Sequence, residues 1–478
     1  MLCSGDLIIL LREVDMMKRI KDIFDCDYDI EILGITDDSR NVKDGFLFVA
    51  TKGFNVDHYD YIGDAIERGC SFVVSDREIS FDVPHCIVSN INDFFIDCCL
   101  RYYDIDLNNF NFIGITGTDG KTTTATIVQS LLGDTAYIGT NGLSIGDVHV
   151  STNNTTPCIS ELYDDLRKVK EANFSKVVME VSSEALLHER VKNFKFDIIG
   201  FTNITGDHLN VHKTFDNYVN CKLKLLDLVK KSGCVVVNGD DVNLQKVKVN
   251  NLSTFGFNES NDYVICHVKY LSNCTEITVK NGGQTYKIHS PFVGEYNVYN
   301  VVMAFVIGLK SGQPASLLIE KIENLKSVTG RCEFLNFGQD YEIVLDYAHT
   351  INGIKNILDT FHNSNRIITV TGAAGGREKE KRNIIGNLVM DYSDISIFTM
   401  DDPRYEDVDK IIDEMVGDRK DYIRIVNRED AICHALSIAL PGDVVLILGK
   451  GRDNYMAIQD KKVKYNDYDV VKNYFLDK

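Results

Sequence analysis

The chain has no cysteine pair with metal-site or redox spacing. It carries 13 cysteines but no Cys-x-x-Cys, and the closest two, Cys98 and Cys99, are adjacent. Scattered through apolar runs, they read as buried thiols kept reduced, not as a disulfide framework or a structural zinc site. Long apolar runs are also missing. The run at 7–11 lies between Asp6 and Arg12 and is too short for the apolar core of a signal peptide. No stretch approaches membrane-spanning length. Positive charge is scarce: 51 Lys and Arg against 70 Asp and Glu give a net charge of −19, which argues against nucleic acid as a partner. There is no internal repeat and no low-complexity tract. The expectation is a cytoplasmic protein with no nucleic-acid or membrane partner, taken as a monomer.

What is present is ordinary globular material: 478 residues, 44% hydrophobic and 25% charged, enough for two to four domains. Short apolar, β-branched runs at 46–50 and 71–74 read as strands, and 61–68 as a helix ending at Gly69. A polar stretch at 104–111 reads as a linker. From 111 to about 328, strands at 112–115, 176–179, 197–201 and 234–237 alternate with helices, which argues for a parallel sheet covered on both faces. The 215–231 stretch reads as one helix, and 255–293 as an antiparallel appendage. From about 330 the alternation repeats, with strands at 343–345, 366–370, 395–399 and 443–448 and helices at 408–416 and 430–439. The expected fold is therefore α/β with three domains: a small N-terminal α/β domain (1–110), a central domain built on a parallel sheet and opening on a P-loop-like strand, glycine turn and lysine (111–328), and a C-terminal Rossmann-like domain (329–478).

The most informative stretch is Ile113-Gly114-Ile115-Thr116-Gly117-Thr118-Asp119-Gly120-Lys121-Thr122-Thr123-Thr124. A strand, a glycine turn, a lysine and hydroxyls opening a helix (125–132) form the pattern that holds a polyphosphate. Glycines let backbone N–H groups approach, the helix N-terminus adds positive potential, Lys121 adds a cation, and Thr122 is placed to ligate Mg²⁺. Ile115 stands where the general P-loop pattern has its first glycine, so this is a shorter variant.

Other candidates fall at strand ends, where open α/β sheets bind ligands. Glu180 ends the run Val178-Met179-Glu180, either as a Mg²⁺ ligand or as a solvated loop glutamate. Asp207 and His208 follow the 197–201 strand; a lone histidine is usually structural, but one at a strand end on the same rim as Glu180 and the phosphate loop is a better ligand candidate. Lys222 falls on the apolar stripe of the 215–231 helix with Tyr218, Leu225 and Val229. It either snorkels to the edge or is functional, with a depressed pKa or a covalent modification. In the last third, Gly372-Ala373-Ala374-Gly375-Gly376-Arg377, Asp401-Asp402-Pro403-Arg404 and Gly449-Lys450-Gly451-Arg452-Asp453 each follow a strand and converge on one site for a small zwitterion.

These motifs resemble the Mur ligases, ATP-dependent amide-forming enzymes of bacterial cell-wall synthesis. The resemblance rests on 116–123 and, in order along the chain, on Asp38-Ser39-Arg40, Asn154-Thr155-Thr156-Pro157, Met179-Glu180-Val181-Ser182-Ser183, Asp207-His208-Leu209, 294–300, Gly330-Arg331, Asp346-Tyr347-Ala348-His349-Thr350, Asp401-Asp402-Pro403-Arg404 and Gly449-Lys450-Gly451. It implies ATP and Mg²⁺ as cofactors, and UDP-MurNAc-L-Ala-D-Glu and a diamino acid as substrates. Phosphorylation of the glutamyl carboxylate would give an acyl phosphate, which the amine attacks. The process served would be peptidoglycan synthesis, and through it cell shape and division. By the same resemblance Gly117, Thr118, Asp119, Gly120, Lys121, Thr122, Thr123, Asn297, Arg331 and Asp346 face ATP. Thr122, Glu180, His208 and a carbamylated Lys222 form the magnesium site, and Lys121, Lys222, His208 and Glu180 are the catalytic set. Ser39, Asn154, Thr155, Thr156, Ser182, His188 and Arg190 contact the UDP-linked dipeptide. Arg377, Asp401, Asp402, Pro403, Arg404, Gly449 and Asp453 bind the incoming amino acid.

The chain departs from the family pattern at Asp119 (usually Asn), Glu184 (usually His), Gly206 (often Arg) and His188 (commonly Gln). In the amino-acid motif, Asp402 replaces the Asn of diaminopimelate-adding enzymes while Arg404 is retained, and Asp453 replaces a Glu. Asp402 suits an ε-ammonium and Arg404 a carboxylate, so the motif leans to L-lysine with meso-diaminopimelate as the alternative. A folylpolyglutamate-synthase-like activity is disfavoured by Asp38-Ser39-Arg40 and Asn154-Thr155-Thr156-Pro157. A non-catalytic or differently specific relative is the remaining alternative.

Overall fold

The computed structural model describes residues 16–52, 57–152, 154–206, 209–271 and 274–476. The 7–11 run, Asp207 and His208 lie outside the described residues. The chain divides into two compact units, residues 1–114 with 134–197 and residues 115–133 with 198–478. Asn111–Thr116 and Phe196–Phe201 are the strands in which the chain passes from one unit to the other.

In the first unit, Gly34–Thr36, Phe46–Val49, Phe72–Ser75 and His85–Ile87 form a parallel four-stranded sheet in that order. Parallel strands are covered on both faces and so read as continuous apolar runs, here Phe-Leu-Phe-Val and Phe-Val-Val. Phe48 and Val73 pack with Val42, Ile62 and Ala65, the last two from helix Ile62–Glu67. The polar 104–111 stretch contains a 3-10 turn, Leu107–Asn109, whose first N–H groups are capped by Asp106. The rest of the unit holds strand Lys176–Glu180 parallel to Thr135–Gly139, which turns back antiparallel through Gly142–Ile145 and Val148–Val150. Helix Ile159–Glu171 buries Ile159, Leu162, Tyr163, Leu166 and Val169, a 3-4 spacing that puts them on one stripe.

The second unit begins with helix Lys121–Leu132, four residues earlier than expected, because Gly120 takes a left-handed N-cap conformation at φ +82°. Strands Val229–Asn238, Leu252–Gly256 and Tyr263–Tyr270 pair in parallel, and Thr275–Asn281 and Gln284–Ser290 continue antiparallel as the expected appendage. The single 215–231 helix is not found. Helix Phe215–Leu223 tightens into a 3-10 turn, Lys224–Leu228, and the chain is a strand from Val229. Ser232 and Gly233 are poor helix formers, and pairing with Leu252–Gly256 draws the segment into the sheet.

From residue 333 a six-stranded sheet runs in the order Glu333–Leu335, Glu342–Asp346, Val444–Leu448, Ile367–Thr371, Ile395–Phe398, Ile423–Arg424. Only the first pair is antiparallel. The side-chain period of two sends Val344, Leu446 and Leu448 to one face, against Ile354, Leu358, Val389 and Ile412. Ile343, Leu345, Val445 and Ile447 go to the other, against Ala431, Ala435 and Val471. This is the expected doubly wound arrangement, with its loops at the carboxyl ends of the parallel strands. Among the described residues no helix is long and apolar enough to cross a membrane.

Candidate functional site

The glycine loop is closed from outside by the segment after strand Phe196–Phe201. Thr118 N donates to Asn203 O (2.9 Å) and Asp119 N to Asn203 Oδ1 (3.0 Å), while Thr202 Oγ1 donates to Asp119 O (2.6 Å). The Thr118 hydroxyl lies 3.0 Å from Tyr218 OH. There is no room for side chains at the two loop glycines. A Cβ on Gly117 would lie 1.8 Å from Thr202 Oγ1, and one on Gly120 2.3 Å from Asn300 Oδ1. The glycines thus let the loop pack tightly against Thr202 and Asn300, and the N–H groups that open helix Lys121–Leu132 are the ones placed for a phosphate. Lys121 folds over the loop, donating to Gly117 O (2.9 Å) and Thr118 O (2.7 Å).

Lys222 does not snorkel. It is 2% exposed, donates to Gly117 O at 2.7 Å and lies 4.8 Å from the Tyr218 ring centroid. Two lysines thus share one loop carbonyl. Arg331 Nη2 donates to the Thr122 hydroxyl at 3.1 Å, and its guanidinium stacks 4.5 Å from the Tyr347 ring centroid. Asp346 accepts from Cys332 N and Ala348 N (both 2.6 Å). Burial pushes its carboxyl up against the opposing effect of Arg331. Asn297 donates to Val293 O (2.9 Å) and accepts from Asn300 Nδ2 (3.2 Å), and Asn300 in turn accepts from Thr124 Oγ1 at 3.3 Å. The Asp119 carboxylate accepts the Thr350 hydroxyl at 3.1 Å.

The first unit gathers a second group. Glu180 is fully buried, so the solvated-loop reading fails. It accepts from Tyr137 OH, from Thr140 N (2.9 Å) and from Thr140 Oγ1 (3.2 Å). Thr140 Oγ1 also meets Thr155 Oγ1 at 3.1 Å. The Thr156 hydroxyl donates to Glu180 O (2.8 Å) and accepts Ser182 N (2.9 Å), and Arg190 Nη1 donates to Thr156 O (2.9 Å). Ser182 caps helix Ser183–Leu187 through Ala185 N. Asn154 is exposed and Thr155 half-buried beside it. Burial and nearby Arg190 lower the pKa of His188. Ser39 opens the 3-10 turn Ser39–Asn41, next to half-buried Asp37, which accepts Ser160 Oγ at 3.1 Å.

At the carboxyl edge of the six-stranded sheet, Lys450 is 1% exposed and faces three carboxylates: Asp402 (2.8 Å), Asp453 (3.5 Å) and Asp401 (3.8 Å). Asp402 Oδ1 also accepts Ala457 N (2.9 Å). Asp402 is thus already paired with a cation of this chain, which weakens one of the two departures behind the lean to L-lysine. Burial raises the Asp453 carboxyl to about 6, against the pull of Lys450. Arg404 sits at φ +51°, held there by its N–H on Ala457 O (3.0 Å) and its carbonyl accepting Gln459 N (2.9 Å). Pro403 is buried, Gly449 lies at φ +113°, and Arg377 is exposed.

Among the described residues no group of three His, Cys, Asp or Glu side chains is arranged to hold a metal ion. Of the expected magnesium set, His208 is outside the described residues. Thr122 and Lys222 belong to one unit and Glu180 to the other. The glycine cradle and Lys121 fit a polyphosphate and the Thr122 hydroxyl fits a hard cation. Lys222 fits one only as a carbamate, since its ammonium donates and repels. Asn203, Asn300, Tyr218 and Lys450 were missed as site residues. Asn300 and Lys450 lie inside stretches the sequence marks and Asn203 just after the 197–201 strand, but no spacing shows that their side chains turn inward.

Three family models match in order: the Mur ligase family catalytic domain over residues 31–94, the Mur ligase middle domain over 115–308, and the Mur ligase glutamate ligase domain over 330–451. A Bacillus licheniformis protein named UDP-N-acetylmuramoyl-L-alanyl-D-glutamate–2,6-diaminopimelate ligase is 35% identical over 466 residues, 94% of this chain and 96% of that protein. A Clostridium perfringens protein of the same name is 35% identical over 463 residues, 92% and 94% of the two chains. A solved ligase of that name superposes with TM-score 0.63 at 23% identity, over 97% of this chain and 99% of that one. The Thermotoga maritima MurF ligase in complex with ADP superposes with TM-score 0.64 at 19% identity, over 93% and 96%.

Proposed function

The chain belongs to the Mur ligase family, and from that premise we propose that it is an ATP- and Mg²⁺-dependent ligase that joins 2,6-diaminopimelate to UDP-MurNAc-L-Ala-D-Glu through an acyl phosphate. The observation that carries the ATP half is the glycine cradle at the start of helix Lys121–Leu132, with Lys121 and Lys222 both on the Gly117 carbonyl. When bound, ATP supplies the phosphoryl group that activates the dipeptide's terminal carboxylate. The chain's part is positioning and charge. Lys121 and the helix N-terminus offset phosphate charge, and Arg331 orients the Thr122 hydroxyl. The magnesium ligands on this reading are Thr122, Glu180, His208 and Lys222, the lysine after carbamylation.

For the dipeptide, the reading assigns Ser39, Asn154, Thr155, Thr156, Ser182, His188 and Arg190. For the amine it assigns Arg377, Asp401, Asp402, Pro403, Arg404, Gly449 and Asp453. Diaminopimelate is preferred over L-lysine for two reasons. The relatives carry that name, and Asp402 is held by Lys450 while Arg404 remains for a distal carboxylate. Domain boundaries near 110/111 and 328/329 fit the three matched segments. The dispersed free thiols fit a reducing cytoplasm, and a monomer is the simplest reading.

Phosphate release with ATP, UDP-MurNAc-L-Ala-D-Glu and each amine tests this. The expectation is a kcat/KM for meso-diaminopimelate about 100-fold above that for L-lysine, since a site built for a polar group rejects the analogue lacking it. A preference for lysine overturns the choice of amine. No release with any diamino acid favours a binding protein instead.

A further inference from the structure

We propose that Arg382 and Glu406 are positioning residues for the amine substrate: together they brace the two loops that carry Arg377 and Arg404. The proposal rests on reading the C-terminal site as the amine site.

The loops follow neighbouring parallel strands, Ile367–Thr371 and Ile395–Phe398. They touch without slack. Gly375 N donates to Asp402 O (2.8 Å), Arg404 Nη1 donates to Gly375 O (3.3 Å), and a Cβ on Gly375 would lie 2.0 Å from Pro403 O. What holds them in register comes from helix Glu380–Tyr392. Arg382 is 1% exposed. Its Nη2 donates to Ala374 O of the first loop (2.9 Å), and its Nη1 donates to Glu406 Oε2 of the second (2.8 Å). The other oxygen of Glu406 returns to the first loop, accepting Gly376 N at 2.6 Å. One guanidinium and one carboxylate therefore tie both loops together through planar, charge-assisted bonds of fixed direction. The hydrogen bond from Arg382 holds the Glu406 carboxyl near 2, so the brace is charged at any working pH.

The geometry serves binding as well as stability. Arg377 is exposed and makes no ion pair among the described residues, and the Arg404 guanidinium meets a carbonyl, not a carboxylate. Both cations keep their charge for an anion, and a substrate with two carboxylates needs them at a set spacing. Glu414 provides an internal control. It also pairs with Arg382 (2.5 Å) and with Lys379 (3.2 Å), the last residue of the first loop, but among the described residues it makes no hydrogen bond to the 374–377 stretch that carries Arg377 or to the second loop.

The experiment is steady-state phosphate release by the full-length enzyme with whichever diamino acid the wild type uses. Glu406→Ala and Arg382→Lys are expected to raise KM for the amine by about 10-fold or more, with kcat and KM for ATP within about twofold, because uniform binding of one substrate is what is lost. Glu406→Gln, which keeps an acceptor for Gly376 N–H, should stay within about threefold of wild type. Glu414→Gln should lower Tm while leaving KM for the amine unchanged. If Glu406→Ala does not fold, Arg382→Lys decides. The proposal is overturned if the folded brace variants keep the wild-type KM, or if Glu414→Gln raises KM as much as they do. A wild type that releases phosphate with no diamino acid overturns the underlying reading instead.

Discussion

Asp119 illustrates how one side chain is made acceptable at a phosphate site. Its carboxylate accepts the hydroxyl of Thr350, which also caps helix Ile351–Phe361, so the charge faces a helix N-terminus that offsets it. An asparagine keeps the acceptor and removes the charge. Asp119→Asn should therefore lower KM for ATP about 3- to 10-fold, roughly 1 kcal/mol for a partly screened charge. A rise in KM on titrating ATP would show that the charge is needed to hold Thr350. Asp453 gives a pH signature. Burial lifts its carboxyl from 3.8 to about 6, so it is ionised for an amine only above that range. KM for the amine should rise as pH falls below 6 and be flat above it, and Asp453→Asn should remove the inflection. The sign for stability follows from the raised carboxyl: its contribution is full below 3.8 and lost as pH rises to about 6.

Among the elements, helix Ile159–Glu171 carries an internal cost. Asp165 is 1% exposed, one of its oxygens has no hydrogen-bond partner, and Lys168 meets the other at 3.3 Å. Burial raises it to about 7. Its stabilising contribution is complete below 3.8 and lost as pH rises through about 7. Asp165→Asn keeps an acceptor for Lys168 without the buried charge. Thermal melts should show it more stable than wild type by about 1–3 kcal/mol at pH 8, with the gain vanishing near pH 4. A gain that persists at low pH would assign the effect to packing. Helix Phe215–Leu223 carries its buried charge differently: Lys222, in its last turn, donates to the Gly117 carbonyl.

For the whole molecule, the thiols are dispersed, the net charge is −19, and among the described residues apolar cores hold the fold without a disulfide. The twelve described cysteines are free. Cys70, Cys98, Cys99, Cys221 and Cys332 are buried and Cys266 is exposed. Burial raises the Cys70 thiol to about 11 and Cys98 further, which suppresses the reactive thiolate. A thiol reagent should modify Cys266 quickly and those five only on unfolding, and 13 thiols should titrate in denaturant without reductant. Fewer than 13 would reveal a disulfide.

The sequence alone was enough for the strand–glycine–lysine loop, the alternation of α and β elements, and the strand ends where Glu180, Asp401 and Gly449 lie. Each of these follows from local periodicity and from the backbone freedom of glycine. It was also enough for the family, because the motifs recur in order. The tertiary structure decided what those residues touch. Whether Lys222 snorkels or turns in, whether Glu180 is solvated, and whether Asp402 faces a substrate or Lys450 depends on partners 40 to 105 residues away, such as Gly117 for Lys222. The end of the 215–231 helix was decided the same way, by strand pairing with Leu252–Gly256. A sequence pattern gives the direction of a side chain from its own element. The charge and hydrogen bonds it meets belong to other elements, and only packing brings those together.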